Sequence, residues 1–384
     1  MKHSILSLAI LSAFCAMSAN SSAQTQSSST ANPVTNPVST PSSANANTSA
    51  ALSNVTIYGR VDAGVEYTNH ADAKNNSVMR LQSGGMNTAR WGLRGVENLG
   101  NGLKATFQLE GGILVDSGNT DGVLFKRQAT VGLEGDFGKV SLGRSFTTVY
   151  EFIIDGFDPM GFAPSYSWGT GATATGVNKY GMTTAFDNMI KYQHKVGDFK
   201  LGITYGLGEQ AGNAGDGRKL SMGTVYGKGG LTLLATYEQI NGNTLAVTGN
   251  REQTQAYHLG INYVNGPLRY TAAMRDYKLT SAKANTPDVR ATTYWGGINY
   301  LIQPKVTLTG AVYYVDVKNV AAGADADPIM YVARAKYALS KRTDLYLSTA
   351  YTKAKNGKLT GVSRDDAGFA NNQTGIIVGM QHRF

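Results

Sequence analysis

An all-β architecture, a 16-stranded antiparallel transmembrane β-barrel, is the fold class this sequence predicts, and three observations predict it. The chain ends in Gly375-Ile-Ile-Val-Gly-Met-Gln-His-Arg-Phe384, where the alternate positions behind a terminal aromatic residue, His382 apart, are apolar: Met380, Val378 and Ile376. From Asn54 onward the hydrophobic period is two, with charged residues at alternate positions of otherwise apolar ladders. Beyond the amino-terminal segment, no run approaches the ~20 apolar residues that a membrane helix needs.

The final strand carries the most information. Inside lipid every backbone donor and acceptor must be paired, so a sheet spans only by closing on itself. An alternating strand ending in an aromatic residue suits that closure. Phe384 is therefore the predicted closure and assembly signal, read by the barrel assembly machinery of a Gram-negative outer membrane.

The other end of the chain agrees. Met1-Lys2-His3-Ser4 is followed by a largely apolar run from Ile5 to about Met17 and then by Ser21-Ser22-Ala23, the pattern of a cleaved export signal. Residues 1–23 are the predicted signal peptide, with the mature chain starting near Gln24. The one cysteine, Cys15, leaves with it. Phe14 before that cysteine does not suit lipoprotein processing, so the mature chain is expected to carry no thiol, disulfide or lipid anchor. Residues 24–53 are almost wholly Ser, Thr, Ala, Asn, Gln and Pro, with too little apolar surface to offset the entropy of ordering. They are the predicted disordered periplasmic tail, and the barrel takes residues 54–384.

Composition fits a wall that alternates between lipid and water. Gly and Tyr are abundant at 46 and 21, Pro is scarce at 9, and hydrophobic residues reach only 42%. The formal charge of +9 falls by one when Lys2 is removed. The bases are scattered over strands and loops, which argues against nucleic acid as a partner.

The first ladder places Val55, Ile57, Gly59, Val61, Ala63, Val65 and Tyr67 on one face and Thr56, Tyr58, Arg60, Asp62 and Glu66 on the other. Leu103, Ala105, Phe107 and Leu109 against Lys104, Thr106, Gln108 and Glu110 repeat the pattern. Charges inside an apolar ladder do not suit a soluble sandwich core; they suit an inner face that lines water. Turn signals delimit strands near 54–67, 88–97, 102–114, 123–135, 139–146, 186–196, 199–208 and 218–227. Eight more follow near 230–240, 253–264, 267–279, 290–301, 305–318, 328–339, 343–354 and 372–384. Tight connections such as Asp136-Phe137-Gly138 and Asn265-Gly266-Pro267 alternate with longer ones. The short turns are assigned to the periplasm and the long loops to the outside, and an even strand count leaves both termini periplasmic.

A barrel of this size cannot fill its interior with side chains and is expected to enclose an aqueous pore. The longest connection, from about Thr147 to Ala185, holds Asp155, Asp158, three Phe residues and Trp168. Its length and aromatic content predict a functional segment, the third external loop, folded into the pore against the inner wall.

At this point the sequence resembles a known family, the trimeric general-diffusion porins, and most closely their beta-proteobacterial branch. The resemblance covers nearly everything after residue 53. It rests on Val55-Thr-Ile-Tyr-Gly-Arg-Val-Asp-Ala-Gly64, Ala89-Arg-Trp-Gly-Leu-Arg-Gly95, Gly102-Leu-Lys-Ala-Thr-Phe-Gln-Leu-Glu110, Arg127-Gln-Ala-Thr-Val-Gly-Leu133, Gly143-Arg144 and the Phe384 tail. It implies a homotrimer in outer-membrane lipid and lipopolysaccharide, with passive passage of small hydrophilic solutes. It also implies basic wall residues opposing carboxylates on the inserted loop.

Arg60, Arg90 and Arg127 match wall positions, and parity adds Arg94 to the face of Arg90. Simple alternation puts Arg127 on the face of Ala129, Val131 and Leu133, so its place in the lumen rests on the resemblance or on a local bulge. The loop acids are Asp155 and Asp158, with Glu151 behind them. Where the family branch commonly carries a further arginine, this chain reads Thr184-Ala185-Phe186-Asp187-Asn188, which implies a thinner basic cluster. The balance of Arg60, Arg90, Arg94, Lys104 and Arg127 over a few carboxylates predicts a modest anion preference.

Enzymatic readings find no motif. His70, His194, His258 and His382 show no metal-ligand spacing and no nucleophile, and Gly-x-Ser-x-Gly is absent. No cofactor and no metal are expected. Two alternatives to general diffusion stay open. One is a pore selective for a sugar or organic anion, with Tyr58, Tyr166, Trp168 and Tyr180 as a stacking track; the other is a closed adhesive barrel. Asp325-Ala-Asp327 and Arg364-Asp365-Asp366 are external acidic pairs able to attract divalent cations.

Overall fold

The computed structural model describes residues 54–171, 180–364, 366 and 368–384. The predicted leader 1–23 and tail 24–53 lie outside these described residues.

Antiparallel strands run in sequence order: β1 (Asn54–Thr68), β2 (Val78–Ser83), β3 (Arg90–Gly100), β4 (Leu103–Leu114), the short β5 (Asn119–Thr120), β6 (Gln128–Gly135) and β7 (Gly138–Phe146). Helix α1 (Thr148–Ile154) precedes β8 (Ala185–Val196), β9 (Phe199–Gly206), β10 (Lys219–Lys228), β11 (Leu231–Thr244), β12 (Arg251–Asn265) and β13 (Leu268–Thr280). The wall ends with β14 (Val289–Gln303), β15 (Val306–Lys318), β16 (Ile329–Ala338), β17 (Thr343–Lys353) and β18 (Asn372–Arg383). Each wall strand pairs with its neighbours, and β1 pairs with β18 over Arg60–Thr68, so the sheet has no free edge. Two of the eighteen strands do not add wall positions. β2 and β3 pair with the two halves of β1 and share one position, and β5 only extends the end of β4. The wall therefore has sixteen positions.

Alternation explains why these segments are strands. In β12, Leu259 and Ile261 are exposed on one face while Ala256, His258 and Asn262 are buried on the other. The exposed apolar face meets hydrocarbon, and the polar face points inward. Tyr263, Tyr270, Tyr300 and Tyr337 stand on the outer face within a turn-length of the short connections, where an amphipathic ring suits the membrane interface.

Two strand predictions need correction. The second strand, expected over 88–97, begins earlier as β2 and is interrupted between Ser83 and Arg90. Asp62, fully buried, organises the break: its carbonyl accepts from the Gly84 amide at 2.8 Å, and its carboxylate accepts from the Asn87 amide at 2.7 Å and the Tyr346 hydroxyl at 2.7 Å. A buried acid offering three acceptors out-competes regular ladder pairing. The fourth strand, expected over 123–135, begins only at Gln128, because 123–127 turn back after β5.

The last residue extends the closing ladder between β1 and β18. The Gly59 amide donates to the Phe384 carbonyl and the Phe384 amide to the Gly59 carbonyl, each at 3.1 Å. The Phe384 ring lies over Gly59, where an added Cβ would meet ring carbon Cζ at 2.3 Å. Gly59→Val is therefore expected to displace the ring at a cost of about 1–3 kcal/mol, the usual range for overpacking. The guanidinium midpoint of the refolded barrel checks this, and an unchanged midpoint would show that the ring is not needed where it sits.

Candidate functional site

The inner wall carries a row of arginines on adjacent strands. Arg60 of β1 lies directly opposite Arg90 of β3 on one side and Arg383 of β18 on the other. One row along, Tyr58 faces Gly92, and Gly92 faces Glu110 of β4. Because Gly92 has no side chain, the Tyr58 hydroxyl reaches across it to donate to Glu110 Oε2 at 2.9 Å; a Cβ there would sit 2.8 Å from that hydroxyl.

Glu110, buried, is the centre of the group. Arg127 Nε donates to its Oε1 at 2.7 Å, and Arg90 Nε lies 3.6 Å from Oε2. Arg60 is within electrostatic reach of Arg90, Arg127 and Arg383. Two guanidiniums, those of Arg90 and Arg127, thus share one carboxylate, and Arg60 stands beside them with Asp62 as the acid in its own electrostatic reach. Arg94 stands apart: it is exposed, and its guanidinium lies 5.2 Å from the Tyr58 ring centre.

Arg127 reaches this group because it precedes β6 instead of belonging to it. The parity that put it with Ala129 applies only from Gln128 on, and the Arg127 amide donates to the Glu110 carbonyl. Sequence reasoning had Glu110 on the inner face without giving it a role. It passed over Arg383 entirely, although parity with Gln381 was available.

The long connection begins at Thr147, the N-cap of α1, whose hydroxyl accepts from the Tyr150 amide and donates to the Thr183 carbonyl, both at 3.0 Å. From there its contacts follow the inner face of successive strands. Thr148 bonds Thr204 of β9, and the Val149 amide bonds Ser221 of β10. Trp295 of β14 donates to the Phe157 carbonyl at 2.6 Å, Asn299 to the Pro159 carbonyl at 3.0 Å, and Arg334 of β16 to the Met160 carbonyl at 3.1 Å. The Ser165 amide donates to the Gly85 carbonyl in the break between β2 and β3, at 3.2 Å.

The wall leaves room for this segment by placing glycine under its bulky side chains. An added Cβ would meet Phe152 at 3.0 Å from Gly202, Phe157 at 2.7 Å from Gly260, Pro159 at 2.8 Å from Gly297 and Tyr166 at 2.5 Å from Gly375. These contacts explain part of the glycine excess. The segment's return path is held by Arg275, which donates to the Gly169 carbonyl at 2.8 Å, and by Glu238, which accepts from the Thr183 amide at 2.9 Å.

The three loop acids are not where an opposing row of free carboxylates would put them. Asp158 is 1% exposed and accepts from the Met160 amide, the Phe162 amide, Ser167 Oγ and the Tyr313 hydroxyl, so it is a fastening of the loop. Glu151 is bound to Lys191 of β8 at 2.6 Å and Asp155 to Lys200 of β9 at 2.8 Å. What stands near the arginines from the loop side is aromatic. Arg127 lies 5.0 Å from the Phe146 ring centre, Phe146 packs on Tyr150 at 4.8 Å, and Tyr150 on Phe162 at 5.4 Å.

Three members of the stacking track suggested by the sequence, Tyr166, Trp168 and Tyr180, are buried against the wall and offer no continuous ring surface to a sugar. Asp327 accepts from the Val317 amide and from Lys355, and Asp325 from Asn356. Asp366 pairs with Arg80, and Asp365 lies outside the described residues. Among the described residues no group of His, Cys, Asp or Glu has the arrangement of a metal site.

Comparison with known proteins agrees with the barrel fold. The family description "Gram-negative porin" matches residues 13–357. Outer membrane porin protein 32 of Delftia acidovorans is 32% identical over 353 residues, spanning 88% of this chain and 96% of that protein. An outer membrane porin protein of Bordetella pertussis is 30% identical, with the same coverage. Among solved structures, an anion-selective porin from Comamonas acidovorans superposes with a TM-score of 0.73 at 29% identity, covering 86% of this chain and all of that one. OmpT of Vibrio cholerae in its trimer form shares the fold at a TM-score of 0.66 and 18% identity, over 86% and 99% of the two chains. The chain therefore belongs to the Gram-negative porins: it is an integral outer-membrane β-barrel, not an enzyme, and it serves as a channel for passive diffusion of small hydrophilic solutes and ions.

Proposed function

We propose that the pore prefers anions and that the long third loop narrows it opposite the arginine row. The observation that carries this reading is the sharing of Glu110 by Arg90 and Arg127, with Arg60 beside them on the wall, while each loop acid is already bound elsewhere. Low-dielectric walls focus that unbalanced positive charge on the aqueous path. The printed description of the Comamonas relative as anion-selective supports the sign.

The remaining parts of the reading follow the same family. The mature chain is a homotrimer in outer-membrane lipid and lipopolysaccharide, consistent with the trimer form named for OmpT. Residues 1–23 are removed on export, residues 24–53 form a periplasmic tail, and Phe384 is presented to the barrel assembly machinery.

Single-channel conductance of the refolded mature chain in a planar bilayer under a salt gradient tests the proposal. Steps in triplets with a reversal potential on the anion side are expected. A cation-side potential overturns the selectivity, and single uncoupled steps overturn the trimer.

A further inference from the structure

A second basic site lies between the loop and the periplasmic turns, away from the Glu110 group. Arg269 of β13, Arg334 and Lys336 of β16 and Asn299 of β14 line an open cavity of about 400 Å³ together with Thr307 and Thr309 of β15. Its ceiling is the loop itself, through the Asn299 bond to Pro159 and the Arg334 bond to Met160.

The charge of this cavity is not matched locally. Among the described residues Arg269 and Arg334 form no ion pair. Arg269 gives Nε and one terminal nitrogen to Asn299 Oδ1 at 3.0 and 2.8 Å, and Arg334 Nε is buried without a partner. Lys336 is 4.0 Å from Asp344, which already holds Arg383 at 2.8 Å. Asp158 is in electrostatic reach of both arginines and Asp62 of Arg334, and the carboxylate oxygens of each are taken by donors of their own.

The free hydrogen-bonding groups are therefore mostly donors. Thr309 Oγ1 accepts from Asn299 Nδ2 at 2.7 Å, which leaves its hydroxyl hydrogen free to donate. The floor has a different character: Val264 and Leu301 continue the inward faces of Asn262 and Asn299, and Pro267 joins them from the turn. A guest satisfying both surfaces has an oxyanion head for the cations and a compact apolar body for the floor.

We propose that this cavity is a binding subsite for small organic carboxylates, on the periplasmic side of the loop. It deepens the anion-selective reading of the pore, on which it rests for the supply of anions. A solute leaving the Glu110 group meets a second cationic station before it reaches the periplasm.

Calorimetric titration of the full refolded protein in detergent with benzoate, acetate and inorganic phosphate tests the subsite without needing conduction. Benzoate is expected to bind saturably and more tightly than either of the others, because only it uses both surfaces. Arg269→Gln with Lys336→Gln is expected to weaken it by about tenfold, the loss of charge-assisted donors. Arg334 is left intact because it holds the loop. Leu301→Gln is expected to weaken benzoate and leave phosphate unchanged, and it keeps the test independent of the folding of the double variant.

No saturable benzoate binding, or binding that ignores all three substitutions, overturns the subsite. Phosphate binding as tight as benzoate overturns the carboxylate class. A preparation that binds benzoate yet shows cation preference in the bilayer overturns the selectivity proposal alone, so the two failures are distinguishable.

Discussion

Replacing Arg90 and Arg127 together by glutamine is expected to move the reversal potential of the channel from the anion side to the cation side. The two residues are the direct partners of Glu110, at 3.6 and 2.7 Å. Their loss removes two positive charges and uncovers one negative charge. At an effective dielectric of ~20 and a separation of ~10 Å, each charge acts on a passing monovalent ion with between 1 and 2 kcal/mol before screening, or roughly tenfold in relative occupancy. Screening at physiological salt reduces this to a few-fold per charge. Two charges in the same direction are enough to invert a modest preference. The check is zero-current potential in a potassium chloride gradient, with Arg94→Gln measured alongside. Because Arg94 stands over Tyr58 and outside the Glu110 group, its loss is expected to shift the potential far less. An equal shift from Arg94 would mean that the field is spread along the wall, and the Glu110 group would lose its special position.

The wall of this barrel was legible in the sequence because one physical requirement writes it. A strand with lipid on one side and water on the other must alternate, and β12 to β15 follow their predicted spans within about two residues. The exceptions mark where an inner residue overrides the ladder. Asp62 looked like one more inward charge, and only the structure shows it gathering the Gly84 and Asn87 amides and the Tyr346 hydroxyl into the break that receives Ser165.

The candidate site was half legible for a related reason. Parity places a side chain on a face but does not say which opposite charge it meets. Arg60 and Arg90 were found by parity, and Arg127 was doubtful only because parity was carried past the start of β6. Glu151, Asp155 and Asp158 were recognised as the acids of the loop. Their partners Lys191, Lys200 and Tyr313 lie 40, 45 and 155 residues away in sequence, and no local pattern connects them.

The second large effect is expected from Asp158→Ala. This carboxylate joins the loop to itself, through Met160, Phe162 and Ser167, and to the wall through Tyr313 of β15. Hydrogen bonds to a charged acceptor contribute more than neutral ones, and removal leaves buried donors unmade, for a loss of about 3 kcal/mol. If that loss falls on the docked arrangement of the loop, the ratio of docked to undocked changes by roughly a hundredfold. The barrel wall, closed by its own ladders, is expected to stay folded, while conductance rises and larger sugars pass in a liposome-swelling assay. Gly375→Leu reaches the same loop by another route, because its side chain would occupy the place of Tyr166, whose hydroxyl lies 2.5 Å from an added Cβ. Wider permeation in both variants would assign the size limit to the docked loop. Unchanged permeation in both, with the loop shown to be released by proteolysis, would assign it to the wall residues instead.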